Sequence, residues 1–265
     1  GDADSLYKIA APGSYYLTGN IAGVAGKHGI EIASSRVSLD LNGFELLGVA
    51  GSLDGVNTAP GIVDVAVRNG SIRSWGDEGV ELGNAGSATD LRVSGCTGFG
   101  IATGQSASIA RCMLTSNSAG GIATGSSCIV QSCTAQFNAG GGGILAFNGC
   151  SVLDCTALTN SGIGISAGHS STISRCTSVD NTQSGFSLGD QTTVSDCSAS
   201  FNDVHGFAGL DGVSISNSTA SNNFQNGFNL VDGAQIAGCT ARLNSGDGFN
   251  QGNGGTISSS SAKEN

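Results

Sequence analysis

Proline, charge and aromatic side chains are all scarce in this chain. Only 2 Pro occur in 265 residues, so backbone donors are almost never removed and extended ladders can run unbroken. Charged residues make up only 11 %, with 10 basic against 20 acidic. The resulting net charge of −10 argues against nucleic acid and anionic membrane as partners. No apolar run reaches transmembrane length, so membrane insertion by a helix is excluded. No stretch carries the apolar period of an amphipathic helix. Phosphate loops, zinc-ligand spacings and nucleophile elbows are also missing.

The chain is rich in Gly, with 44 residues, and it has an internal repeat. From Ile109 to Asn265 it stacks on itself in rows of about 21 residues. The reference column is Cys112, Cys133, Cys155, Cys176, Cys197, Ser218, Cys239 and Ser260. Three positions earlier stand only Ile and Val, from Ile109 to Ile257. Two positions later the residues are mostly Ala, and five later always Asn, from Asn117 to Asn265. Ten later come Ile122, Ile165, Phe186, Phe207, Phe228 and Phe249, usually after Gly.

A fixed period of this length marks a solenoid. Three short β-branched segments per row, separated by Gly, Asn, Asp and Ser, make each row one coil of a parallel β-helix. The expected fold is all-β: a single right-handed parallel β-helix of roughly ten coils, spaced about 4.8 Å apart. Residues 1–29 read as an N-terminal cap leading into the first coil. Residues 30–108 read as irregular coils with an insertion at 48–61, and residues 109–265 as regular ones. The start at Gly1-Asp2-Ala3-Asp4 suggests a mature or trimmed chain. The stop at Asn265 falls mid-coil, where a further domain or partner is expected to cover the end.

The stacking accounts for the residue types. Ile, Val and Phe columns fill the interior, and the Ala column lies where walls come close. Asn suits a bend in αL geometry and can bond its neighbours along the axis. Gly before Phe suits a tight turn. Nine Cys raise the alternatives of inter-rung disulfides, a metal ladder, or buried thiols acting as small apolar groups. In-register rungs hold Cβ atoms about 4.8 Å apart, beyond the usual disulfide span of about 3.5–4.5 Å, which favours packing. Cys96 reads as part of the same column, with a clipped turn before Cys112.

Two surface constellations could carry chemistry. Fourteen positions after the reference lie His169, Asp190, Asp211 and Asp232. Stacked carboxylates repel unless a cation binds or one keeps a proton. Asp190, Asp211 and Asp232 are therefore candidate Ca²⁺ ligands or an acid/base set, with His169 or His205 assisting. The alternative is that they are good turn residues. No other cofactor is indicated. The second constellation is a polar strand floor, Ser166, Ser187, Ala208, Asn229 and Asn250. Beside it lie Asp203, His205, Asn226 and Asp247.

The repeated Gly-Phe-Ser-Leu at 185–188, Val-Ser-Leu-Asp-Leu-Asn-Gly-Phe at 37–44 and Pro-Gly-Ser-Tyr-Tyr-Leu at 12–17 resemble the right-handed β-helix repeats of the pectate-lyase-like superfamily. The resemblance covers most of the chain. It implies an exported bacterial protein, secreted or at the cell surface, that binds a polysaccharide along one strand face and as a further option processes it. Asp203, Asn226, Asn229, Asp247 and Asn250 are then the expected substrate-binding residues. A lyase or hydrolase is the enzyme class implied, and a non-catalytic structural or adhesion rod is the alternative. The departures are clear. No Arg or Lys repeats in the groove columns as a lyase base, Gly168-His169-Ser170 matches the polygalacturonase Gly-His-Gly only in part, and the Asp-Pro-His string of mannuronan epimerases is absent.

Overall fold

The computed structural model describes residues 2–265. Among them every regular element is a strand, and all pairings between strands are parallel. One coil runs through Thr172–Ser174, Thr177–Val179 and Phe186–Leu188. Each of these pairs with its equivalent 21 residues later, at Thr193–Ser195, Ser198–Ser200 and Phe207–Gly209. The strand that ends each regular coil belongs to one long sheet of twelve strands, from Ser5–Ile9 to Phe249–Gln251. The solenoid thus has twelve coils, two more than the period suggested.

The additional coils lie in the irregular part. Ser5–Ile9, Gly13–Tyr16 and Ile21–Ala22 pair with the next coil, so the expected cap is itself a complete first rung. The expected insertion also supplies a rung, because Val56–Thr58 pairs with Ile30–Ile32. From Ile30 to Val56 and on to Val80 the coils hold 26 and 24 residues. That shift hid them from a 21-residue reading.

Every regular coil bends at three corners held by a residue with positive φ, such as Ser170, Arg175 and Asp180 at 56°, 52° and 57°. The following residue points inward and is buried: Ser171, Cys176 and Asn181. Each accepts a hydrogen bond from the backbone N–H of its column mate one rung back. Cys150 N donates to Ser171 Oγ at 3.1 Å, Cys155 N to Cys176 Sγ at 3.4 Å, and Asn160 N to Asn181 Oδ1 at 3.0 Å. Cys, Ser and Asn thus do one job, which is to satisfy a corner donor that the ladder leaves over. This explains why Ser218 can replace Cys, since it accepts the N–H of Cys197 at 3.1 Å. It also moves the αL residue to the position before Asn.

Cys96 belongs to the Asn column, because its N–H bonds Asn117 Oδ1 at 3.1 Å. Arg92 pairs with Met113, so this turn is not clipped. All nine Cys are free and buried.

Inside, Phe186, Phe207, Phe228 and Phe249 stack with centroids 4.7–4.9 Å apart. The Gly before each Phe is needed for approach between rungs. A Cβ on Gly206 would sit 2.6 Å from the carbonyl oxygen of Gly227. In the wider irregular coils the buried Trp75 fills the interior, and its Nε1 donates to Leu46 O at 3.1 Å.

Candidate functional site

The outward face of the long sheet holds both constellations expected from the sequence, on opposite edges. His205, Asn226 and Asp247 precede the strands, whereas His169, Asp190, Asp211 and Asp232 follow them. The separation is about six residues of extended chain, roughly 15–20 Å. His205 therefore does not join the Asp column.

His169 and Asp190 do meet, with Nδ1 and Oδ2 at 3.1 Å. The backbone N–H of Asp190 donates to His169 Nδ1 at 3.0 Å. Asp211 N donates to Asp190 Oδ1 at 3.2 Å, and Asn253 N to Asp232 Oδ1 at 2.8 Å. The column caps the next rung's backbone and runs along the axis. At about 4.8 Å per rung, Asp190 and Asp232 are about 10 Å apart, too far for the three carboxylates to surround one ion.

Of the expected substrate-binding residues, three are joined by side chains. Asn226 Nδ2 donates to Asn229 Oδ1 at 3.2 Å, and Asn250 Nδ2 to the same oxygen at 2.7 Å. Asp247 N is capped by Asn226 Oδ1 at 2.9 Å. Asp203 is exposed on the preceding connection, apart from this network. His205 accepts the N–H of Asn226 at Nδ1, 3.2 Å away, and partial burial lowers its pKa.

A groove runs along this face. One depression of about 390 Å³ is floored by Ser166, Ser187, Ala208 and Asn229 and rimmed by His169, Leu210 and Val231. It shares Ser166 and His169 with a second of about 370 Å³ that reaches Phe147, Leu145 and Phe99. Phe147, Leu210 and Val231 are exposed apolar side chains on its rim.

A further cluster lies on the same sheet, in rungs two to four. His28, Asp54 and Glu78 occupy the column that His205, Asn226 and Asp247 continue. The capping pattern is also the same: Asp54 N donates to His28 Nδ1 at 3.2 Å, and Glu78 N to Asp54 Oδ1 at 2.9 Å. Asp77 adds a third acid, and oxygens of Asp54, Asp77 and Glu78 lie within 4.8 Å of one another. A second acidic group, Asp2, Asp4 and Glu31, is also within 4.8 Å, but Lys8 holds Asp2 and Glu31 at 2.7 and 2.9 Å.

In the longer coils Asp54 and His28 are covered, while Asp77 stays exposed. The Asp54 side chain is 4 % exposed and that of His28 16 %, against 45 % for Asp190. Burial pushes the Asp54 carboxyl up to about 7, with Glu81 and Asp77 adding repulsion. Burial, followed by Asp77, pushes Glu78 up to about 8. Two carboxyls there keep protons near neutral pH. His28 Nδ1 lies 3.1 Å from Asp54 Oδ2, and its Nε2 lies 3.4 Å from the Asn57 amide. Asn57 and Glu81 in turn border a depression of about 370 Å³ that extends past Thr58, Pro60 and Gly83.

The sequence reading missed this cluster, although a signal was present. His28-Gly29-Ile30, Asp54-Gly55-Val56 and Glu78-Gly79-Val80 repeat the polar–Gly–apolar string of His205-Gly206-Phe207.

No helix long and apolar enough to cross a membrane is present among the described residues. No curated protein matches the sequence. Among solved structures, the A-module of the Azotobacter vinelandii mannuronan C-5 epimerase AlgE4 is 14 % identical with a TM-score of 0.57, over 88 % of this chain and 70 % of that one. The ORF18 protein of Geobacillus virus E2 is 14 % identical with a TM-score of 0.58, over 97 % of this chain, which spans 52 % of the viral one. The catalytic domain of a GH87 α-1,3-glucanase, solved with tetrasaccharides, is 9 % identical with a TM-score of 0.50, over 98 % of this chain and 61 % of that one. At such identities the likeness is one of fold. The family model described as right handed beta helix region matches residues 54–212 and 127–265. With its stacked parallel coils, the chain belongs to that right-handed β-helix family.

Proposed function

We propose that this protein binds an extracellular polysaccharide along the outward face of its long sheet and processes it there. The observation that carries this reading is the continuous groove from Phe99 to Val231. Its floor is small and polar, so a chain of sugar rings can lie flat and bond to Ser166, Ser187 and Asn229. Its exposed rim residues Phe147, Leu210 and Val231 offer apolar contact to ring faces. The epimerase module and the tetrasaccharide-bound glucanase share the fold, which adds support to a saccharide ligand. Secretion or surface display follows from such a ligand, and thiols buried in the core are shielded from oxidation there.

The test is incubation with neutral and uronic-acid polysaccharides, with and without Ca²⁺, reading binding, new reducing ends and unsaturated-uronate absorbance. Product lost in Asp211→Asn would put the chemistry on the Asp column. Absence of both binding and product would overturn the reading.

One observation favours the alternative of a rigid structural rod. Asp190 and Asp232 are engaged in capping neighbouring backbone, as turn residues would be. A rod predicts no polysaccharide-dependent signal.

A further inference from the structure

We propose that the groove takes a neutral glycan and excludes polyuronates, and that its main binding segment is an uncharged stretch at rungs five to eight of the long sheet. This inference rests on the saccharide-binding reading above and names the substrate class of the same face.

The strand register resolves the face into three columns. The floor column runs through Lys8, Glu31, Asn57 and Glu81 in the first four rungs, then Ala102, Ala123, Leu145 and Ser166 in the next four. It continues as Ser187, Ala208, Asn229 and Asn250, so no charge stands on the floor after Glu81. Beside rungs five to eight the leading edge is Phe99, Gly120, Gly142 and Ile163. The trailing edge is Gln105, Ser126, Asn148 and His169. His169 is the one titratable side chain in this stretch of the three columns.

The stretch is also shaped for sugar rings. Phe99, Leu145 and Phe147 line its depression of about 370 Å³. The Phe99 ring lies over the next rung, where a Cβ on Gly120 would sit 2.6 Å from it. Phe147 is 60 % exposed and stands between Gly125 and Gly168 of the adjoining rungs, which leaves its ring open. Such side chains can lie against the apolar faces of sugar rings. Farther along, Asn229 Oδ1 already accepts from Asn226 and Asn250, so its Nδ2 is left to donate to a ligand. The Ser166 and Ser187 hydroxyls can both donate and accept, as a sugar hydroxyl does.

Charge selects the substrate class. Every Arg and Lys after Arg36 lies on strands of the other sheet or at the corners between them. Arg68, Arg73, Arg111 and Arg175 are paired with acids there. On the groove side, Glu81 stands one rung before the uncharged stretch and Asp190 one rung after it, with Asp211 and Asp232 beyond. A rung is about 4.8 Å, inside the Debye length of about 8–10 Å at moderate salt. A polyuronate would find no cation on this face and would meet like charge at both ends of the segment. A neutral chain meets neither obstacle.

The experiment is affinity electrophoresis of the full chain in soluble neutral glucans, mannan and galactan beside polygalacturonate and alginate. Divalent cations are left out, and each gel is run at low salt and at about 1 M salt, where the Debye length falls to about 3 Å. The expected result is retardation by a neutral glycan to the same extent at both salts, with polyuronates bound at least about tenfold more weakly at low salt. Phe147→Ala should weaken neutral binding about tenfold while keeping the melting temperature. Ser187→Lys should raise the affinity for polygalacturonate about tenfold at low salt and not at high salt. Polyuronates bound more tightly than every neutral glycan at low salt would overturn the substrate class and leave the saccharide-binding reading standing. Neutral binding unchanged in both variants would overturn the assigned segment. Absence of retardation by any polysaccharide would instead overturn the reading on which the inference rests.

Discussion

His28, Asp54 and Glu78 in the early rungs and His205, Asn226 and Asp247 in the late ones occupy one edge column and make the same bonds. In both regions a side chain accepts the next rung's N–H, at 3.2 and 2.9 Å in each. The surroundings differ. The regular coils leave the late column at the surface, while in the 26- and 24-residue coils Asp54 and His28 are covered. Burial raises the carboxyl pKa values of Asp54 and Glu78, whose places are taken by Asn226 and Asp247 in the late rungs. The column itself is therefore generic to the solenoid, and its early members differ in how far they are buried.

Four predictions would break or sharpen this comparison. The largest effect is expected inside the regular rungs. Phe207→Ala removes the middle of the stacked aromatic column and should cost about 3–5 kcal/mol in chemical denaturation. Asn202→Ala should cost about 3 kcal/mol, because it orphans the buried N–H of Asn181 and the carbonyl of Ser178. The same change at the less buried Asn226 should cost under about 1 kcal/mol, since water can replace the cap. A small difference between these two would remove burial as the deciding variable.

The third prediction concerns pH. Asp54 and Glu78 have folded pKa values raised to about 7 and about 8, above their ordinary values of 3.8 and 4.5. As pH rises from about 4 to about 8, the unfolded chain gives up these protons before the folded one does. The unfolded state then binds fewer protons, so stability falls across that window. The melting temperature should decline from pH 4 to 8, and Asp54→Asn should flatten the decline. An unchanged profile in Asp54→Asn would mean that this carboxyl titrates normally. The smallest effect belongs to Asp211→Asn on the exposed edge, which should alter stability by no more than about 0.5 kcal/mol.

The comparison also explains what could be seen in the sequence. The regular rungs were legible because a 21-residue period brings each residue type to the same wall, and the aliphatic, Ala, Asn and Phe columns lie buried up to the last rung, where Ile257 is 47 % exposed. Asn229 and Asn250 were likewise legible as a shared polar floor. Val56 and the Asp54–Glu78 pair were not, because coils of unequal length break the period on which the alignment depends. The role of Cys was only half legible. Its small size suggested packing, but the bond from Cys155 N to Cys176 Sγ depends on a corner geometry that no spacing reveals.

The sequence by itself determined the solenoid, its interior columns and its polar strand face, since each follows from residue types recurring at a fixed interval. The tertiary structure alone decided which acids meet. Asp190, Asp211 and Asp232 share a column but spread along the axis at one rung apiece. Asp54, Asp77 and Glu78 lie within 4.8 Å because they occupy only two neighbouring rungs, Asp54 standing beside Glu78 and its sequence neighbour. Periodicity sets the order of side chains along the axis, while contact across rungs depends on which coils lie side by side.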